Sequence, residues 1–303
     1  MIVTPRRTLL YLDDAEAIHE VTSKREAFPK PTGSYRILTL YGDSVLTSEG
    51  AVWRLHRRVT SASFNERNAA LVFRETVHQT RGLVTEWRSR GDGDKGIIRS
   101  LEHDCMALTL NIIGYVGFGL RLLWPGQTLP PGTDPRLAKY ASLDAPEGHT
   151  MSFADSLRST LDHLLLLMLF PKWALSTYSF PSAVQLFPFL ASLPRKGYAH
   201  TNNPGGGVKK DNCMGQVGKK AVESENNYVQ YMNEFLQDKI EDVRKGNAEE
   251  GMDIMGQLVR TSYGDSSATA ANGHGGGGSR KEAKVALPDS EIIGNAFSKS
   301  AKE

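Results

Sequence analysis

Apolar residues recur along most of this chain at intervals of three and four, the period of a helix with one buried face. Leu101, Cys105, Leu108, Ile112 and Val116 form one such stripe, and Gly117-Phe118-Gly119 closes it with a residue suited to the left-handed conformation. Cys105 lies on the stripe and is read as core packing. Asn65 is placed to cap a helix whose apolar positions are Ala69, Val72, Phe73, Thr76, Val77, Leu83, Val84 and Trp87, with Gly91-Asp92-Gly93 as its stop. A longer helix is predicted over 221–245, burying Tyr228, Tyr231, Met232, Phe235, Leu236 and Ile240, and a shorter one over 252–259. Leu157, Leu161, Leu164, Leu165 and Met168 give 152–170 a wide apolar face, in which His163 reads as a hydrogen-bonded core residue. Arg7 to Leu12 reads as a short strand, followed by a helix capped by Asp13 or Asp14 and running to Lys24, before Pro29 and Pro31.

Between these elements the pattern lapses. Prolines and glycines are dense from Leu123 to Gly148, which predicts loop, and Pro171, Pro181, Pro188 and Pro194 divide the next stretch into short pieces. His200 to Gly218 is rich in Gly, Asn and Lys, and Ser266 to Ser279 is of low complexity. The run Gly275 to Gly278 lacks the Lys-Ser/Thr end of a phosphate loop.

Composition narrows the function classes. Hydrophobic residues make up 40% and charged residues 23%, as in a globular protein, and a net charge of +2 gives no reason to expect nucleic acid. Two cysteines, Cys105 and Cys213, stand far apart in unlike contexts and suggest neither a disulfide framework nor a zinc site. No apolar run of signal-peptide length opens the chain, and the most apolar stretch, Leu164 to Phe170, is far shorter than the ~20 residues of a membrane span. The expectation is a chain without anchor or signal peptide, cytoplasmic or peripheral.

Candidate chemistry concentrates in Glu49-Gly50-Ala51-Val52-Trp53-Arg54-Leu55-His56-Arg57-Arg58. On a helix Trp53 and Arg57 stack on one face with His56 beside them, a group of donors suited to an anion. The plain alternative is a half-buried Trp with an Arg packed over its ring. With Tyr41-Gly42-Asp43-Ser44-Val45-Leu46 before it and Phe64 after it, this stretch resembles the approach to, and body of, the C helix of cytochrome P450 enzymes. In that family the Trp and Arg of Trp-x-x-x-Arg hydrogen-bond the haem propionates, and a nearby His often joins them. The resemblance therefore implies cofactor-binding roles for Trp53, Arg57 and, more weakly, His56.

The remaining elements follow the same family order. The strand and first helix resemble the sheet edge and B helix, the helix closing at Phe118-Gly119 the E helix, 152–194 the F–G region, and 221–259 the G and H helices. Leu287-Pro288-Asp289-Ser290-Glu291-Ile292-Ile293-Gly294-Asn295-Ala296-Phe297 resembles the first turns of the I helix. There the family continues into Ala-Gly-x-Asp/Glu-Thr, whereas this chain reads Ser298-Lys299-Ser300-Ala301-Lys302-Glu303. Glu241-Asp242-Val243-Arg244 supplies a Glu-x-x-Arg, but before the I-helix segment rather than after it, and reads as a surface i,i+3 pair. Cys213-Met214-Gly215 matches only the last step of the haem-thiolate signature, and Cys105 does not match it.

The expectation is thus mainly α: a partial cytochrome P450 fold, helices B to early I, with little β. It forms a single incomplete domain over 1–303 with flexible insertions at about 125–150, 195–218 and 264–284. By resemblance the function is that of a haem-thiolate monooxygenase, with haem as cofactor and a small apolar substrate. An electron-donating reductase is the implied partner, and the F–G region a point of peripheral membrane contact. No residue is assigned as catalytic or as a metal ligand. Because the thiolate Cys, the Glu-x-x-Arg in its family position and the oxygen-activating segment are not found, this chain is expected to be inactive by itself. Two alternatives remain: a non-catalytic helical protein binding a partner or an apolar ligand, and a decayed or mis-spliced gene product.

Overall fold

Three-and-four spacing becomes helix almost everywhere. The computed structural model describes residues 2–3, 8–24, 26–90, 98, 100–129, 131–177, 213–246, 253–264 and 286–300. Strands β1 (Ile2–Val3) and β2 (Thr8–Leu9) pair antiparallel, with Ile2 opposite Leu9. Helices α1 (Ala15–Ser23) and α2 (Thr32–Tyr35) lead through a 3-10 segment (Arg36–Tyr41) to α3 (Gly50–Ser61), α4 (Glu66–Ser89) and α5 (Leu101–Phe118). Then come α6 (Pro135–Ala141), α7 (Phe153–Asp162), α8 (Leu164–Leu169) and α9 (Lys172–Thr177), followed by α10 (Cys213–Arg244), α11 (Ile254–Tyr263) and α12 (Asp289–Ser300).

Side-chain caps set several starts. Asp14 accepts from the Ala17 N–H at 2.8 Å, Asn65 from that of Asn68 at 2.9 Å, Ser152 from that of Asp155 at 3.2 Å and Asp253 from that of Gly256 at 2.7 Å. Gly119, at φ +77°, ends α5 in the left-handed conformation, and its N–H donates to the Tyr115 carbonyl at 2.8 Å.

Helix α10 is the spine. Tyr228, Tyr231, Met232, Phe235, Leu236 and Ile240 are all buried, as their spacing predicts, and pack against α7, α11 and α12. Phe118 of α5, Tyr140 of α6 and Phe153 of α7 meet Phe235 with ring centroids 6.0, 4.4 and 5.1 Å away. Rings packed at these distances contribute beyond the area they bury. Ile292, Ala296 and Phe297 bring α12 into the same core.

Elsewhere packing overrides the apolar pattern. The buried face of α5 is Asp104, Ala107, Leu110, Asn111, Gly114, Gly117 and Phe118, not the predicted stripe. Leu101 and Cys105 are exposed, so the reading of Cys105 as a core residue is corrected. The reason lies in α4, whose buried face is Asn68, Glu75, Gln79, Gly82 and Leu83, while Phe73 points outward. Gln79 donates to the Glu75 carboxylate at 2.9 Å and to the Leu122 carbonyl at 3.2 Å, and accepts from the Trp124 indole at 2.8 Å and from Asn111 at 3.2 Å. Arg121 closes the set on Glu75 at 2.7 Å. Glu75, Gln79, Asn111 and Trp124 thus find partners in one another, so α4 and α5 turn these faces toward one another.

Three smaller differences follow from local chemistry. The predicted loop at 123–148 contains α6, which Asp134 caps at 2.9 Å with Pro135 in the first turn. The apolar helix of 152–170 breaks at His163, whose Nδ1 lies 2.7 Å from the Ser159 carbonyl, so that histidine is hydrogen-bonded as expected but half-buried rather than in the core. Glu241 pairs with Lys245 rather than with the expected Arg244. The stop at Gly91-Asp92-Gly93, the run Ser266 to Ser279 and the insertion at 264–284, apart from Gly264, lie outside the described residues, as does 195–212 of the second insertion.

Candidate functional site

Helix α3 carries the candidate residues, and α11 and α12 decide which way they face. Its buried residues are His56, Val59 and Thr60, and it packs on α11. Just beyond its end, Ser63 donates to Gln257 of α11 at 2.7 Å. Consecutive helical residues point about 100° apart, so burying His56 turns Arg57 outward and leaves Trp53 on the flank between.

The structure places the three candidates in different surroundings. Trp53 is half-buried, with the Lys30 ammonium 5.8 Å from its ring centroid. That ammonium donates to the Val45 and Ser48 carbonyls at 3.1 and 3.0 Å, which ties the turn before α3 to the segment after α1. Arg57 is exposed and makes no ion pair among the described residues. His56 is fully buried, its Nδ1 2.7 Å from Asn295 Nδ2 and its Nε2 3.3 Å from Glu291 Oε2. The Nε2–Glu291 approach has ion-pair length without hydrogen-bond alignment. Trp53 and Arg57 share one flank of α3, while His56 faces α12.

Asn295 and Glu291 were not among the predicted site residues. Asn295 is fully buried, accepts from the Val45 N–H at 2.9 Å and donates to the Glu291 carbonyl at 2.7 Å. The turn that holds Val45 meets α12 backbone to backbone: a Cβ on Gly294 would lie 2.8 Å from the Gly42 carbonyl oxygen. Gly42 itself sits at φ +120°. The available signal was Gly294-Asn295, a glycine and a polar residue interrupting an otherwise apolar helix face.

Chemically, the exposed flank offers a guanidinium without an ionic partner among the described residues, next to an indole. Such donors receive carboxylates, and a planar guanidinium does so in bidentate fashion. The donor set therefore fits the acidic arms of a porphyrin. It does not supply a ligand for the iron. Cys105 lies exposed on α5, and the side chain of Cys213 is outside the described residues. Among the described residues no group of three His, Cys, Asp or Glu side chains could hold a metal ion, and no helix is long and apolar enough to cross a membrane.

Fold and site together describe a mainly helical protein with an exposed arginine and a half-buried tryptophan on one helix flank beside its core. Its relatives include several fungal cytochrome P450 monooxygenases. The chain is 33% identical over 178 residues to one from Arthrobotrys oligospora, covering 57% of this chain and 28% of that protein. It is 32% identical to cytochrome P450 monooxygenase 124 of Postia placenta, covering 59% of this chain and 31% of the relative. A cytochrome P450 monooxygenase of Penicillium rubens is 26% identical over 98% of this chain and 41% of its own length. The resemblance read from the sequence is thus borne out. The chain spans between 28% and 41% of the length of these curated relatives. No family model and no solved structure matches it.

Proposed function

We propose that this chain, as one domain over 1–303, carries the propionate-holding part of a cytochrome P450-type haem-thiolate monooxygenase. Trp53 and Arg57 would hold the haem carboxylates, the indole by its N–H and the guanidinium by charge-assisted hydrogen bonds. The observation that carries the reading is the exposed Arg57, without an ion pair among the described residues and one turn from Trp53 on the open flank of α3. Haem, when bound, supplies the iron at which the family's oxygen chemistry takes place. The residues of this chain orient it by its acidic edge. A small apolar substrate and an electron-donating reductase are the partners of the whole activity, with peripheral membrane contact through 152–194.

Neither cysteine stands in a haem-thiolate signature. An axial thiolate is what favours O–O cleavage in such enzymes, so these residues alone are expected to turn over no substrate. The test is a haemin titration followed by a CO-difference spectrum of the reduced complex. Uptake of haemin without the Soret shift of thiolate ligation is expected, and that shift would disprove the prediction of inactivity. Trp53→Ala with Arg57→Ala should weaken uptake by roughly tenfold or more, as the loss of charge-assisted bonds implies. Unchanged uptake returns Trp53 and Arg57 to a packing role.

A further inference from the structure

We infer that His56 is a positioning residue: Asn295 holds it in a single tautomer, and through it sets the rotation of α3 that presents Trp53 and Arg57 on the open flank. This deepens, and rests on, the carboxylate-holding role proposed for those two residues.

The inference starts from a group that can only donate. The Val45 N–H lies 2.9 Å from one atom of the Asn295 carboxamide, so that atom is the oxygen and the amide has one orientation. Its nitrogen then faces the Glu291 carbonyl at 2.7 Å and His56 Nδ1 at 2.7 Å. An amide nitrogen offers protons and accepts none, so His56 Nδ1 must be the unprotonated acceptor. The ring proton therefore sits on Nε2, toward the Glu291 carboxylate 3.3 Å away. The contact of the other ring nitrogen fixes the tautomer, as it does for a metal-bound histidine, although no metal is involved.

Both partners are fully buried, which makes this arrangement hard to replace. Turning α3 by one residue would carry His56 about 100° away and put Arg57 in its place, a cation facing the Asn295 N–H groups. The same amide holds the 42–48 turn through Val45, and Gly42 and Gly294 allow that turn and α12 to touch at the backbone. One side chain of α12 thus aligns both the approach to α3 and α3 itself. The half-buried place of Trp53 and the exposure of Arg57 follow from that alignment.

Long-range 1H–15N correlation spectra of the histidine-labelled 303-residue chain read the tautomer directly, with no substitution. His56 is expected as Nε2–H with a bare Nδ1, and a protonated Nδ1 overturns the assignment. Haemin titration then tests positioning. His56→Leu should weaken uptake about tenfold, in the range seen when supporting residues of a bound group are removed. His56→Asn keeps an acceptor near the Nδ1 position and should stay within about twofold of the parent chain, a difference of ~0.4 kcal/mol. Equal uptake by the parent chain and His56→Leu, with uptake lost in Trp53→Ala/Arg57→Ala, overturns the positioning role and leaves the carboxylate reading intact. Uptake indifferent to the double substitution removes the carboxylate reading, and with it the purpose assigned to His56. The tautomer result stands apart from both.

Discussion

Tyr228 and Tyr231 sit about one turn apart on α10 and both are fully buried, yet their hydroxyls fare differently. Tyr231 donates to the Met151 carbonyl at 2.8 Å and stacks on His149 at 3.7 Å between centroids. The Tyr228 hydroxyl has no hydrogen-bond partner among the described residues. Burial pushes its phenol well above the ordinary range, so it remains a protonated donor facing no acceptor. Removing an unsatisfied group recovers its desolvation cost, whereas removing a bonded one loses the bond. Tyr228→Phe should therefore leave stability unchanged or raise it by up to ~1 kcal/mol, while Tyr231→Phe should lower it by ~1 kcal/mol. Urea denaturation of the two variants decides this, and a larger loss for Tyr228→Phe would mean that its hydroxyl is engaged after all.

Two glycines in helices separate close approach from mere occupancy. A Cβ on Gly294 of α12 would meet the Gly42 and Asp43 carbonyl oxygens at 2.8 and 2.9 Å, and backbone cannot step aside. A Cβ on Gly117 of α5 would find only Ile113 Cγ2 at 3.9 Å, an ordinary contact. Gly294→Ala is expected to cost on the order of 2–3 kcal/mol through overpacking, and Gly117→Ala to gain up to ~1 kcal/mol from helix propensity. Thermal melts of both variants provide the check. Equal melting points would show that the turn and α12 are not in contact.

The same elements show what was readable beforehand. The buried face of α10 could be read because aromatic and aliphatic residues there answer to one another. The faces of α4 and α5 could not, because Glu75, Gln79, Asp104 and Asn111 look like solvent residues until their partners are known. Trp53 and Arg57 could be singled out by type and spacing. Asn295 could not, since its meaning depends on Val45 and His56, which no local pattern joins to it.

For the molecule as a whole, the junction of α4 and α5 contributes to the response to acid through Asp104. Burial pushes the Asp104 carboxyl up, but hydrogen bonds from Ser100 at 2.6 Å, Trp87 at 2.7 Å and Arg90 at 3.0 Å outweigh it and hold the group below the usual carboxylate range. His103, 3.6 Å away, adds attraction when protonated. A carboxyl lowered by folding contributes stability that is complete above its unfolded value of about 3.9 and is lost as pH falls through the lower folded value. Asp104→Asn should therefore be less stable than the parent chain by ~2 kcal/mol at pH 7, and the gap should close below about pH 4. Urea midpoints at pH 7, 5 and 3 measure it. A gap independent of pH would mean that the ionised form is not what these donors hold.

The contact between His56 and Asn295 also has a consequence in time. The two residues are 239 positions apart, and Val45 and Asn295 are 250 apart. During synthesis, α3 leaves the ribosome long before its buried histidine has anything to bond. At about 5–20 residues per second that wait lasts roughly 10–50 seconds. Contacts so distant in sequence carry a high closure entropy and form late. The helix bearing Trp53 and Arg57 is thus made well before its buried face can be seated, and any chaperone that shields the nascent chain has this interval in which to act.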